Sequence, residues 1–562
     1  MLTQAFADDV GLLQLGMDYP TIVSLTQQAL NEVVKWCKRP DIDLGVSPDK
    51  TQAILFTKKR KTKLIPLKIE GVDVPYTKVV KYLGIFLDDK LLWNTQCQEK
   101  SRKATMALAQ CKRAIGKTWG LSPYITHWIY SAIIRPALDY GALVWVEAVD
   151  QETNLKPLAR VQRQGLVSTF GVMRSTPTAA METLIDLRPM DIHIRQVALR
   201  TMHRLLLSND WKKSSDNKLA RRTHTQICER LAKEIPEMRL PCETMDLLPT
   251  ERKFKIQIIP RTEWKKKGAP ALTPETVSCY TDGSRLGGAA CLVYSTPTGD
   301  EEIRLPLGKY PTVFQSEVFA IIRAAETLIQ DMTGKETNIY SDSLSTLQSL
   351  QSPWKQTSLV RNCFKALNTL ANDRPVTVHW IPAHSGYEGN ERVDSLAKQA
   401  AETHPEMEEP CLPLSKELVH GAIKSWGRKA HEHRWLKLET CRDSKKIIKT
   451  INKATGMFCR GLSRGSLRIL TMIVTGHCLL ALHLHRIGLA QSPTCTSCGR
   501  EEESRDHFLA ECEAYTQLRL RYLGRPFMSS EDLAEVPLPS LLKFSVKSRR
   551  FEREKQGEVP TN

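Results

Sequence analysis

No apolar run in this 562-residue chain is long enough to cross a bilayer. The most hydrophobic stretch, Ile469 to Leu484, is short for a span and contains Thr475, Gly476, His477 and His483, with Arg486 just beyond, so a buried helix is expected there and no membrane partner. No charged, apolar and small-residue leader opens the chain, and its fifteen cysteines form no compact, evenly spaced framework. This excludes a secreted disulfide scaffold and points to a reduced, intracellular protein, with nucleus and cytoplasm not distinguished. Internal repeats of roughly 20 to 50 residues and long low-complexity tracts are missing too, which excludes a solenoid or a disordered array. Acidic residues are in deficit: 62 Asp and Glu face 80 Lys and Arg, a net charge of +18. That balance favours a polyanionic partner, and its distribution is uneven. Between Glu275 and Glu402 eleven basic residues meet fifteen acidic ones, a net of −4, so the rest of the chain carries +22. An acidic centre between basic flanks suits an enzyme that grips phosphates and concentrates divalent cations at one point; solvated lysine faces are the alternative.

With 41% hydrophobic and 25% charged residues the chain has globular composition, and its length implies about three to five domains. The opening LTQAFADDVGLL places Asp8 and Asp9 between apolar runs, as in a tight hairpin displaying both carboxylates. An amphipathic helix follows from about Thr21 to Cys37, then SPDKTQAILF, the basic KKRKTKL and the strand-like KYLGIFLDD. This order resembles the second half of the reverse-transcriptase palm of non-LTR retrotransposons, and IIRPALDYGALVW resembles that family's helical thumb, up to about Leu207. A polymerase also needs a third carboxylate on an upstream strand and fingers for the nucleotide. Seven residues before Asp8 supply neither, so a truncated element or an internal start is expected, with Asp8 and Asp9 as remnants and no reverse transcription by this chain alone. Ser208 to Pro274 is polar, basic and proline-punctuated, and reads as a linker.

Val277 to Thr281 reads as a strand ending at Asp282-Gly283-Ser284, AACLVYS as its return, and IRLPL as a third strand after the turn Thr296 to Asp300. Val318, Ile321, Ile322, Ala325 and Ile329 then mark a helix with Glu317 at its first turn. NIYSDS ends a strand at Asp342, Leu344, Leu347 and Leu350 begin another helix, and room for a further one exists near Leu359 to Ala371. PVTVHWIPAH alternates Val376, Val378 and Trp380, and Gly386 to Asn390 turns into a helix bearing Val393, Asp394, Leu396 and Ala397. The set YTDGS, SEVFAIIRA, YSDS and WIPAHSGYEGNERVDSLAKQA resembles type 1 ribonuclease H over about 120 residues, with four acidic positions spaced 35, 25 and 52 apart.

That resemblance implies that Asp282, Glu317, Asp342 and Asp394 converge on two Mg²⁺ ions, with Mn²⁺ as the substitute, and that His384 serves proton transfer or product release on a loop nearby. A hydrogen-bonding structural histidine is the alternative for His384. Carboxylates packed at ~4 Å repel by about 4 kcal/mol at an effective dielectric near 20, so the set requires dications or protons. Gln315, Ser316 and Asn390 are the substrate contacts the resemblance implies, aimed at 2′ hydroxyls of an RNA–DNA hybrid. No inserted basic helix stands between Ser352 and Leu359, so grip on the substrate falls to the positive flanks.

Beyond Thr403 the chain is helical and basic, with Trp426 and Trp435 as helix anchors or base-stacking platforms. Cys495-x2-Cys498-x8-His507-x4-Cys512 has spacing for a tetrahedral Zn²⁺, free thiols with a surface histidine being the alternative. With TGHCLLALHLHRIGL before it and HFLAEC within it, this segment resembles the C-terminal knuckle of the same retrotransposon polyproteins.

The expected architecture is therefore an α/β ribonuclease H-like domain, a mixed five-stranded sheet with helices on both faces. It stands between a partial palm with helical thumb and a helical C-terminal region with a zinc knuckle. The boundaries are 1–100 (palm), 101–207 (thumb), 208–274 (linker), 275–402 (ribonuclease H), 403–490 (helical basic region), 491–515 (knuckle) and 516–562 (a tail, disordered in part). The expected activity is endonucleolytic hydrolysis of RNA in RNA–DNA hybrids; the competing reading is a decayed, nucleic-acid-binding remnant. An exonuclease of related fold is disfavoured because Asp-Gly-Ser stands at 282–284 in place of Asp-x-Glu, and an integrase would lack the YTDGS and GNERVD context.

Overall fold

The computed structural model describes residues 1–57, 59, 62–208, 224–260, 263, 276–285, 287–296, 299–330, 336–405 and 409–551. The chain divides into two compact units, one of residues 196–427 and the other of 1–195 with 428–562.

The first of these is built on one mixed sheet. Its elements in chain order are β1 (Lys255–Gln257), β2 (Thr276–Gly283), β3 (Gly288–Thr296), β4 (Gly299–Pro306), α1 (Val313–Gln330), β5 (Glu336–Ser341), α2 (Leu344–Gln351), α3 (Ser358–Leu370), β6 (Val376–Trp380) and α4 (Glu388–Glu402). The strands lie in the order β4-β3-β2-β5-β6-β1. β4, β3 and β2 pair antiparallel, whereas β2, β5, β6 and β1 run parallel.

Alternation along the strands dictates what covers each face. Val277 and Cys279 of β2, Ile339 of β5 and Val376 and Val378 of β6 meet Val318 and Ile321 of α1, Leu347 of α2 and Leu367 of α3. The intervening Tyr280 and Tyr340 point the other way, stacked 4.9 Å apart, against Val393, Leu396 and Ala397 of α4. Helices therefore cover both faces, and α3 occupies the room left near Leu359.

The sheet has six strands where five are expected, and the sixth comes from the stretch read as a linker. β1 pairs with Thr377–His379 of β6, and Phe254 beside it is 2% exposed, its ring 5.3 Å from that of Phe364. Phe254, Ile256 and Ile258 alternate onto the core face, a pattern hidden among charged and proline residues. A helix also spans His224–Ala232. The remaining linker residues, 209–223, 261–262 and 264–274, lie outside the described residues, as do Pro297 and Thr298 of the turn before β4 and part of KKRKTKL.

The second unit joins stretches expected to be separate thumb, helical and knuckle domains. The guanidinium of Arg464, 4% exposed, donates to the carbonyls of Leu121 (2.6 Å) and Ser168 (2.7 Å) and to Thr126 Oγ1 (2.9 Å). Asp191 accepts both terminal nitrogens of Arg434, at 2.7 and 2.6 Å. Buried guanidinium groups are tolerated only where acceptors surround them, and here the acceptors come from the opposite end of the chain. Trp435 is a buried anchor whose indole N–H donates to the Ile448 carbonyl (3.1 Å). Within Ile469 to Leu484 a helix, Arg464–Thr475, ends at Gly476 with φ +71°, and no helix of the described residues is long and apolar enough to cross a membrane.

The stretch from 516 to 551, expected to begin a tail disordered in part, is folded. Helices span Thr516–Leu523 and Leu538–Lys547, and the fully buried Leu541 and Phe544 pack with Phe508. Arg550 then pairs bidentately with the buried Glu503 at 2.6 Å on both oxygens. Residues 552–562 lie outside the described residues.

Candidate active site and metal centre

β2 and β5 are neighbours with Thr281 opposite Ser341, so Asp282 and Asp342, one residue on in each, leave the sheet at the same level. The indole N–H of Trp380 on β6 donates to the Asp342 carbonyl (3.1 Å) and fixes that turn. Glu317 reaches them from α1, whose backbone lies directly on β2: a Cβ at Gly283 would stand 2.5 Å from the Glu317 nitrogen. Only glycine permits that approach. One oxygen from each of Asp282, Glu317 and Asp342 falls within 4.8 Å of the others.

Charges held this close, and out of water, resist ionisation. Burial, then the charges of Asp342 and Asp394, push the Asp282 carboxyl up to about 7, against the opposing Gly283 N–H and Lys398. Burial and then Asp282 and Asp342 drive Glu317 well above the carboxylate range. Asp342 is raised by burial too, while a hydrogen bond from Asn390 opposes the shift. Glu317 Oε2 is buried without a hydrogen-bond partner. Hard oxygen donors with surplus negative charge and an unsatisfied oxygen fit a hard divalent cation such as Mg²⁺.

The fourth carboxylate is not in this cluster. Asp394 on α4 groups with His384 and Glu391 within 4.8 Å, and is ion-paired to Lys398 one helical turn on, which draws it to the rim. Its charge still reaches Asp282. His384 is exposed and holds φ +50°, a left-handed backbone uncommon for a residue with a side chain. Asn390, 3% exposed, lies in the first turn of α4 and faces Asp342.

Gln315 and Ser316, expected at the substrate, are buried, 1% and 0% exposed, at the start of α1. Glu391 and Lys398 were missed by sequence reasoning. Each lies three or four residues from Asp394 on the same helix face, a spacing that could have found them.

In the other unit Cys495, Cys498, His507 and Cys512 bring their ligand atoms within 4.8 Å of one another. Tetrahedral Zn²⁺ with Zn–S near 2.3 Å requires sulfurs about 3.8 Å apart. Cys495 and Cys512 sulfurs are 3.9 Å apart, and Cys498 Sγ is 3.5 Å from His507 Nε2. Backbone N–H groups of Glu501 and Arg500 hold the Cys498 thiol down at about 6, favouring the thiolate a metal takes. Glu501, also missed, meets His507 Nδ1 at 2.9 Å and orients the ring from outside. Asp8 and Asp9 stand on an exposed hairpin of Leu2–Phe6 and Asp9–Leu13, with no third ligand grouped with them among the described residues.

The RNase H family model matches residues 274–402. A 115 kDa protein in type-1 retrotransposable element R1DM of Drosophila melanogaster is 26% identical over 215 residues, 38% of this chain and 21% of that protein. A retrovirus-related Pol polyprotein from type-1 retrotransposable element R1 of Nasonia vitripennis is 23% identical over 193 residues, 34% of this chain and 47% of that protein. A ribonuclease H of Psychromonas ingrahamii is 28% identical over 151 residues, 24% of this chain and 95% of that protein. The chain thus spans between a fifth and half of the retrotransposon relatives. Residues 274–402 thus match the RNase H family, on a chain homologous to the Pol polyproteins of R1 retrotransposable elements.

Proposed function

We propose that this chain hydrolyses the RNA strand of RNA–DNA hybrids endonucleolytically, with Asp282, Glu317, Asp342 and Asp394 as carboxylate ligands of two divalent cations. The observation that carries the reading is the buried, mutually repelling triad with Asp394 beside it, because such a set is stable only when cations or protons neutralise it. Mg²⁺ held there would supply water activation and charge neutralisation at the scissile phosphate. The chain's own groups do the rest. Asp282 and Glu317 hold fixed positions on β2 and α1, Asn390 orients Asp342 through its hydrogen bond, and His384 on its exposed loop is placed to move a proton near Asp394 and Glu391. Cys495, Cys498, His507 and Cys512 would hold Zn²⁺ in a separate, structural role.

Incubating the full chain and an Asp282→Asn variant with a labelled hybrid, with and without Mg²⁺, tests this reading. Mg²⁺-dependent RNA cleavage, lost in the variant, is expected. Salt-sensitive binding with no cleavage by either protein would instead make the chain a decayed nucleic-acid-binding remnant.

A further inference from the structure

The turn of α1 that precedes Glu317 is fastened by residues lying outside the stretch matched to the family. Gln315 Oε1 accepts from the backbone N–H (3.1 Å) and the hydroxyl (3.3 Å) of Thr312, closing the turn that opens α1. Its Nε2 donates to the Pro413 carbonyl at 2.8 Å. Pro413 belongs to a strap, 409–415, that follows the matched 274–402. The Glu409 carboxylate accepts from the Lys309 N–H (3.2 Å), and Leu412 and Leu414 are 6% and 0% exposed. The strap is in turn zipped to residues preceding the domain: Leu414 N–H donates to the Pro241 carbonyl (2.7 Å) and Glu243 N–H to the Leu414 carbonyl (3.1 Å). Glu243, 4% exposed, lies beside the side chains of Gln315 and Thr357, and Ser358 N–H donates to the Thr244 carbonyl (2.8 Å).

Two residues along a helix turn the side chain by roughly 200°, so Gln315 and Glu317 point to opposite sides of α1. Glu317 faces two other carboxylates that repel it. On its own side of the helix the Gly283 N–H opposes that repulsion, and the side-chain anchor of the turn lies behind.

We infer that Gln315 is a positioning residue: it sets Glu317 against Asp282 by tying the first turn of α1 to the strap 409–415, and it does not touch the hybrid. This rests on the ribonuclease reading above. A consequence is that the working catalytic unit includes residues 241–246 and 409–415 as well as the matched domain.

The test uses the full chain with Gln315→Met, which keeps the side-chain volume and removes its hydrogen bonds. Two quantities are read: the Mg²⁺ midpoint of the thermal shift without nucleic acid, and KM and kcat on a hybrid. The Mg²⁺ midpoint is expected to rise about tenfold, the equivalent of one net hydrogen bond, with KM unchanged and kcat recovered at saturating Mg²⁺. A raised KM with an unmoved Mg²⁺ midpoint would restore a substrate-contact role and overturn the inference; so would no change in either. Should Gln315→Met not fold, Thr312→Ala removes the two bonds its hydroxyl makes, to Gln315 Oε1 and from the Gln315 N–H, and is expected to raise the midpoint at least about twofold, an unmoved midpoint again overturning the inference. Wild-type protein showing neither a Mg²⁺-induced shift nor cleavage would sink the ribonuclease reading itself, and this inference with it.

Discussion

Asp282→Asn should make the metal-free protein more stable while destroying its response to Mg²⁺. A carboxyl whose pKa is higher in the folded state binds protons more tightly there, so it destabilises the fold as pH rises from its ordinary value near 3.8 and reaches its full effect above about 7. If Asp282 alone carried the shift, its ionisation would cost about 4 kcal/mol near pH 8. Protons shared with Glu317 and Asp342 reduce that, and a gain of about 2 kcal/mol is the working figure. The amide can still accept the Gly283 N–H, so no hydrogen bond is lost to offset the gain. For a domain of this size the gain corresponds to roughly 5 °C in Tm. Calorimetry in chelator near pH 8 should show the variant melting higher, and the difference should vanish at about pH 4, where the wild-type carboxyls are protonated. Mg²⁺ should raise the wild-type Tm and leave the variant's almost unmoved. A variant that melts below wild type in chelator at the higher pH would refute the argument, because repulsion among these carboxylates would then not be what the cation relieves.

Gly283→Ala forces a Cβ to within 2.5 Å of the Glu317 backbone nitrogen, and should cost about 2 kcal/mol with a loss of cleavage that added Mg²⁺ does not restore. Thermal unfolding and a hybrid-cleavage assay read both effects. Phe254→Ala, outside the matched stretch, should destabilise the unit 196–427 by about 3 to 5 kcal/mol in denaturant titrations, and a loss under about 1 kcal/mol would show that β1 is not part of its core. Purified full chain should carry one zinc per molecule by elemental analysis and Cys512→Ser none, while hybrid cleavage in Mg²⁺ persists in that variant; unchanged zinc content would disprove the ligand set.

What was legible in the sequence is what chemistry constrains by residue type. Asp282 and Asp342 stand where strands end, Glu317 stands in the first turn of a helix marked by its apolar stripe, and the four zinc-type ligands keep short spacings, so each could be placed on its element from the sequence. What escaped has no residue-type signature. β1 is three residues long, too short for alternation to show against Lys253, Lys255 and the prolines around it. Arg464 finds its acceptors 296 and 343 residues away, in carbonyls that any sequence would provide. The same holds for the strap: the group that anchors Gln315 is the carbonyl of Pro413, and a carbonyl is invisible to any reading of side chains. Gln315 stood as a substrate contact by resemblance alone, as a polar residue just before Glu317. Helix geometry already argued otherwise, since a side chain two positions from Glu317 must point away from whatever Glu317 faces. A polar residue on that inner face has to be satisfied by the fold, and the partner it requires marks where the catalytic unit continues beyond its family boundary.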